Sequence, residues 1–123
     1  MEELLHRMER NDAILFAVPS YWGDVPAQFK ALIDRCTPYA DTNPLPGHPR
    51  PAAGKRVFAA ALRAGGRTGE CEHLLQCVEH WSGHMGAEYD GGVMLTRVDG
   101  KEDLTLEQEV SVKSAVNAWI SKK

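Results

Sequence analysis

No stretch of this sequence stays apolar for the roughly 20 residues that a membrane-spanning helix needs, so no membrane contact is expected. The opening Met-Glu-Glu-Leu-Leu-His has neither the basic flank nor the apolar core of a signal or transit peptide. Cysteine is scarce: three residues, an odd number without paired spacing, exclude a disulfide framework and point to buried thiols in a reducing cytoplasm. Basic excess is missing too, with 14 Lys and Arg against 17 Asp and Glu and a formal net charge of -3. That balance leaves no electrostatic footprint for nucleic acid or an anionic membrane. The glycine run Gly65-Gly66-x-x-Gly69 lacks the dinucleotide spacing, and no Lys-Ser/Thr pair follows it as in a P-loop. Internal repeats and low-complexity tracts are also absent.

What is there reads as one α/β domain over residues 1–123, because 43% apolar and 25% charged residues are ordinary values for a chain able to bury a single core. The chain is organised around Ala13 to Asp34. Ala13 to Val18 is an unbroken apolar run, the pattern of a parallel strand covered on both faces. Pro19-Ser20-Tyr21-Trp22-Gly23 forms an aromatic turn. Asp24 is placed to cap a helix with Pro26 in its first turn, and Val25, Phe29, Leu32 and Ile33 then recur at helical spacing. Tyr21 and Trp22 would therefore project at the carboxyl end of a strand, where open α/β sheets bind ligands. Read alone, the two aromatics would favour core positions at a strand end.

These residues resemble the third strand, loop and helix of the flavodoxin-like NAD(P)H-dependent FMN reductases and their quinone-reductase relatives. The resemblance lies in an apolar strand, then Pro19-x-Tyr21-Trp22-Gly23, then Lys30-Ala31-x-Ile33-Asp34-Arg35. It runs in order along most of the chain and loosens beyond about residue 85. It implies a three-layer sandwich whose parallel sheet corresponds to the family's third to fifth strands. It also implies FMN as cofactor, with Pro19, Ser20, Tyr21, Trp22 and Gly23 against one side of the flavin ring. Ala64, Gly65 and Gly66, in the glycine-rich loop after the next strand, correspond to the family's loop on the other side. The implied reaction is hydride transfer from NAD(P)H to the flavin, then electron delivery to a small-molecule acceptor such as a quinone, a nitro compound or free flavin. The flavin carries that chemistry, so no catalytic side chain is implied.

The other segments read as follows. Glu2 to Arg10 forms a short helix with Leu4, Leu5 and Met8 as its apolar stripe. Thr37 to Gly54 holds five of the chain's seven prolines and reads as a long connection, a surface excursion in preference to a substrate lid. Arg56 to Leu62 is a second apolar strand. A helix from about Glu70 to Trp81 follows, with Glu70 and Glu72 in a first turn that they make unfavourable for a phosphate. Arg63 and Arg67 read as solvated loop cations in preference to partners of a reduced flavin or a nicotinamide phosphate. His80 to Gly86 ends that helix, and Met85-Gly86 partly matches a Gly-Met pair that the family often has here. A third strand is expected within Ala87 to Val98, centred on Gly92 to Val98. Thr105 and Gln108 make a capping box for a last helix with Leu106, Val110, Val116, Trp119 and Ile120 buried and Lys122-Lys123 at its C-terminal end.

His73, Cys77, His80 and His84 share one face of the helix from Glu70, but the outer two would stand about 16 Å apart, too far to share one ion. A pair of them with ligands from elsewhere remains open. Cys71 and Cys77 are spaced unlike iron-sulfur ligands. The family's first strand and Ser/Thr-rich phosphate loop have no counterpart here, so Ala13 to Val18 should form a bare apolar edge, and a homo-oligomer is expected from it. Three functions stay in play: an FMN-dependent oxidoreductase, a truncated non-catalytic module that pairs through the open edge, and a flavodoxin-type electron carrier. Near-neutral charge and short loops speak against the carrier.

Overall fold

The computed structural model describes residues 1–122; Lys123, expected at the end of the last helix, lies outside the described residues. Four helices, α1 (Glu2–Arg10), α2 (Ala27–Arg35), α3 (Gly69–Met85) and α4 (Leu106–Ser121), alternate with three strands, β1 (Ala13–Pro19), β2 (Arg56–Leu62) and β3 (Glu88–Leu95). The sheet is parallel throughout, in the order β1-β2-β3. Val57, Ala59 and Ala61 of β2 point into a core shared with Leu5 and Met8 of α1 and Leu74, Val78, Trp81 and Met85 of α3. Phe29 of α2 packs edge-on against Phe16, which meets Trp81 in the same way on its other side, with ring centroids 5.3 and 5.2 Å apart. The other face carries α4, whose Trp119 stacks on Phe58 at 5.3 Å. The three-layer α/β reading therefore holds.

Coverage of β1 is less than its apolar run implies. Exposed and covered residues alternate along it, and Leu15 is 49% exposed. The cause lies in α4, which packs over β2 and β3 and stops short of the face shared by Ala13, Leu15 and Ala17. Among the described residues β1 pairs only with β2, so it is the open edge expected.

Helix α4 also differs from its expected stripe. The Thr105–Gln108 capping box forms, with both reciprocal bonds at 3.1 Å. Yet only Trp119 is buried, while Leu106, Val110 and Ile120 are 77%, 58% and 63% exposed. Periodicity placed these apolar residues on one helix, but the capping geometry turns Gln108 inward to donate to the Thr96 carbonyl at 2.9 Å. The inward side then runs through Val112, Ala115, Val116 and Trp119.

Strand β3 falls within the expected Ala87 to Val98 stretch, from Glu88 to Leu95, but is centred before Gly92. A bulge interrupts its pairing: Val57 pairs with Tyr89 but Ala59 with Gly92, so β3 spends one extra residue there. Gly92 lets the strands close up, since a Cβ at that position would lie 2.3 Å from the Ala59 carbonyl oxygen. Asp24 does not cap α2, which starts only at Ala27. Pro26 holds the preceding residue extended and delays the helix. Helix α3 runs past its expected end near Trp81 to Met85 and stops at Gly86, which adopts the left-handed conformation at φ 71°.

The proline-rich connection is strapped to the amino end of the sheet. Asp41 N donates to the His84 carbonyl and Gly54 N to that of Gly86, each at 2.8 Å, while Ala52 is fully buried. The segment therefore stands at the opposite pole from Tyr21 and Trp22 and is a surface excursion, not a lid.

One polar anchor holds α4 down. Arg56 Nε and Trp119 Nε1 both donate to Asp90 Oδ2, at 3.0 and 2.8 Å, and the Arg56 guanidinium also donates to the carbonyls of Trp119 and Lys122. Burial pushes the Asp90 carboxyl up, but hydrogen bonds from Arg56 and Trp119 and the charges of Arg56 and Lys122 outweigh it and hold the group below its ordinary range. A carboxyl lowered by folding contributes stability that is present above its unfolded pKa of about 4 and lost as pH falls through the folded value. Asp90→Asn is expected to cost about 1–3 kcal/mol near neutral pH and to weaken the decline of stability below about pH 4. Denaturant unfolding of both proteins at pH 7 and pH 3 checks this; an undiminished acid decline in the variant would assign it to other carboxylates.

Candidate functional site

Parallel strands end at the same edge, so the turns after β1 and β2 are neighbours. β1 and β2 pair from Ala13 with Arg56 to Pro19 with Leu62 without a slip. Ser20 N then donates to the Leu62 carbonyl at 2.7 Å, carrying the ladder one residue past the strand. Pro19 and Ser20 are half-buried at this edge. Tyr21 and Asp24 close the turn with reciprocal backbone bonds of 2.8 and 3.1 Å, leaving Trp22 at the apex. Trp22 has φ 56° and Gly23 φ 77°, the left-handed region, which Gly adopts freely and a tryptophan only under constraint. Tyr21 is 59% exposed and Trp22 fully so. A core role for these aromatics is therefore excluded.

The turn after β2 is stitched on both sides. Arg63 N donates to the Leu95 carbonyl, Arg97 N to that of Gly65 and Val98 N to that of Arg63, at 2.9 to 3.0 Å. Arg97 takes φ 59° to do so. Ala64 and Gly66 are exposed and Gly65 half-buried. Two glycines here make room for side chains: a Cβ on Gly65 would lie 2.5 Å from the Arg63 guanidinium, and one on Gly66 would lie 2.6 Å from that of Arg97. The amides of Trp22, Gly23, Ala64, Gly65 and Gly66 donate to no backbone acceptor outside regular elements among the described residues.

Glu70, in the first turn of α3, ties the two turns together. Ser20 Oγ donates to its Oε2 at 2.8 Å, and Arg63 Nε faces the same oxygen at 3.3 Å. The second contact is ionic without hydrogen-bond alignment, so the buried Arg63 Nε–H has no acceptor. Arg63 also donates from Nη1 to the Arg67 carbonyl at 2.9 Å. Its side chain is only 18% exposed, so it is not the solvated loop cation expected. Sequence reasoning missed Glu70 as a link because it assigned that charge to the helix end alone. Arg97 was likewise missed, since nothing in its neighbours marks a left-handed residue.

On the flank of the same turn, Asp24 Oδ1 accepts from Val25 N at 2.8 Å and stands 3.4 Å from His73 Nε2. Cys77 Sγ is 3.7 Å from that nitrogen. The Val25 amide holds the Asp24 carboxyl below its ordinary range, burial opposing it and His73 reinforcing it. Burial and the Asp24 charge push the Cys77 thiol up. These groups stand at one end of a cleft of about 630 Å³ between α2 and α3, further lined by Ile33, Cys36, His80 and Trp81. Of His73, Cys77, His80 and His84, the first two meet beside Asp24, whereas His80 and His84 pack edge-on with ring centroids 4.8 Å apart and His84 bonds Asp41 at 2.8 Å. The three cysteines form no common ligand cluster among the described residues. No helix among them is long and apolar enough to cross a membrane.

Over 82 residues, 66% of its length, the chain is 37% identical to the iron-sulfur flavoprotein of Methanosarcina thermophila, and it spans 39% of that protein. Its fold is similar to that of an NADPH-quinone reductase from P. pentosaceus, at TM-score 0.69 and 17% identity, covering 99% of this chain and 74% of that one. It is similar as well to general stress protein 14 of Treponema denticola in complex with FMN, at TM-score 0.64 and 18% identity, covering 96% of this chain and 70% of that one. Residues 1–97, which carry α1 through β3 and both turns, match the family model described as NADPH-dependent FMN reductase. By that match over most of its length, the chain belongs to the NADPH-dependent FMN reductase family.

Proposed function

We propose that this chain supplies the ring-binding turns of an FMN-dependent NAD(P)H oxidoreductase. The observation that carries the reading is the pair of tied turns at adjacent strand ends, one displaying an uncovered tryptophan, inside the segment that matches the FMN reductases. Bound FMN supplies the transfer of two electrons from NAD(P)H to a quinone, a nitro compound or free flavin. The chain's own part is to hold and orient the ring. Trp22, with Tyr21 beside it, offers an aromatic face; Pro19, Ser20 and Gly23 shape the turn under it; and Ala64, Gly65 and Gly66 face the ring from the neighbouring strand end. Five backbone amides without a backbone partner in these turns suit the carbonyl oxygens and nitrogens of a flavin edge.

The fit is to the ring and not to the phosphate. Glu70 repels an anion at the helix start, and Arg63 is already engaged by Glu70. FMN and riboflavin are therefore expected to bind this chain alike, each quenching flavin fluorescence, and NADPH should bleach the bound flavin. Binding without bleaching would identify an electron carrier; no binding at micromolar flavin would remove the oxidoreductase reading. Trp22→Ala should weaken flavin binding by about 1–3 kcal/mol if its ring stacks, measured by the same titration. An unchanged affinity would exclude Trp22 from the site.

The open β1 edge favours a second reading alongside the first, self-association through that edge. Leu15 is half exposed beside a strand with one unpaired side. Leu15→Lys is expected to shift the protein toward monomer in light scattering after size exclusion, and an identical mass for both proteins would dismiss it.

A further inference from the structure

Glu70, His73 and Cys77 lie three and four residues apart, which sets them on one stripe of α3. Glu70 takes the front of the aromatic turn through Ser20, and His73 takes its rear through Asp24. The ligand atoms of Asp24, His73 and Cys77 all lie within 4.8 Å of one another.

We propose that Asp24, His73 and Cys77 form a binding site for one divalent transition-metal ion of the zinc type, with water at its fourth position. The argument is geometric. A tetrahedral Zn²⁺ with bonds of about 2.3 Å to sulfur and about 2.0–2.1 Å to nitrogen and oxygen spaces sulfur and nitrogen about 3.6 Å apart, and nitrogen and oxygen about 3.4 Å apart. His73 Nε2 stands 3.7 Å from Cys77 Sγ and 3.4 Å from Asp24 Oδ1, so the side chains already describe two edges of that tetrahedron. Thiolate, imidazole and carboxylate together select zinc and its neighbours over Mg²⁺ and Ca²⁺, which take oxygen ligands.

Charge and access agree with the geometry. The ion displaces the Cys77 proton to solvent, and thiolate plus carboxylate then balance its two positive charges. Asp24 and His73 are exposed and Cys77 is half-buried, so the ion enters from solvent without any opening of the core. Lys30, which lines the same cleft, is paired with Asp34 and does not fill the site. His80 lies one turn beyond Cys77 on the cleft wall. Once bound, the ion fastens Asp24, and with it the Tyr21–Asp24 turn, to α3. The site stands apart from the flavin reading, and its test reads the metal alone.

The tag-free chain, stripped with chelator, is titrated with Co²⁺. Expected are saturation at one ion per chain, a thiolate-to-cobalt charge-transfer band in the near ultraviolet with the visible bands of tetrahedral Co²⁺, and displacement by Zn²⁺. Cys77→Ser abolishes the charge-transfer band, and His73→Gln and Asp24→Asn each weaken binding at least about tenfold. Should Cys77→Ser fail to fold by circular dichroism, Zn²⁺ protection of Cys77 against alkylation in the unmutated chain, mapped by mass spectrometry, decides the same point. No saturable Co²⁺ binding, a band that persists in Cys77→Ser, or alkylation of Cys77 unaffected by Zn²⁺ would overturn the site. Unweakened binding in both other variants would overturn the ligand set.

Discussion

Seven residue pairs join β1 to β2 in parallel, and the position of every candidate site residue follows from that register. Two parallel strands finish at one edge, so each reversal into a helix happens beside the other. Ser20 N on the Leu62 carbonyl and Arg63 N on that of Leu95 prolong both ladders beyond the strands, so the turns start from a fixed rim. A slip of one residue would swing Phe16 and Val18 out of the core and carry Ser20 away from Glu70. The small side chains Ala59 and Ala61 contribute to the same result, because they let α3 lie close enough for its first turn to reach the rim.

Glu70 translates this backbone constraint into side-chain chemistry. Its carboxylate sits near the positive end of α3, accepts from Ser20 and faces Arg63. Three favourable partners for one negative charge fix the spacing of the two turns more firmly than either loop could alone. They also remove Arg63 from service as an anion receptor, which argues for a neutral ligand edge here. The Arg63 Nε–H that remains without an acceptor is a cost of this arrangement, of the kind seen where function outranks packing.

Much of this was legible from local signals. The apolar run of β1, the Pro19-to-Gly23 turn and the Thr105–Gln108 box each depend on residues close in sequence, and each formed where expected. What escaped depends on distant partners. Whether Leu15 is covered depends on where α4 lies, and no periodicity within Ala13 to Val18 encodes that. Leu106, Val110 and Ile120 have the spacing of a buried stripe, but the inward turn of Gln108 leaves them outside. The β3 bulge, the Ser20–Glu70 bond and the Asp24–His73 contact join segments far apart in the chain; the last two span 50 and 49 residues. The helical spacing of His73 and Cys77 is legible, but the residue that meets them, Asp24, reads from sequence as a helix cap.

The aromatic turn itself has no core beneath its apex. A tryptophan at φ 56° carries strain of about 1–2 kcal/mol, and an exposed ring recovers nothing from burial. The turn keeps this shape because its two feet are held independently: Ser20 by the Leu62 carbonyl and Glu70, Asp24 by Tyr21 and His73. Both side-chain contacts come from one stripe of α3, so the helix acts as a single brace for the turn. Strain supported from outside, with the apex left uncovered, is the arrangement of a preorganised binding loop. The backbone at its apex is thus held by contacts made outside the turn, while the tryptophan ring stands clear of the rest of the chain.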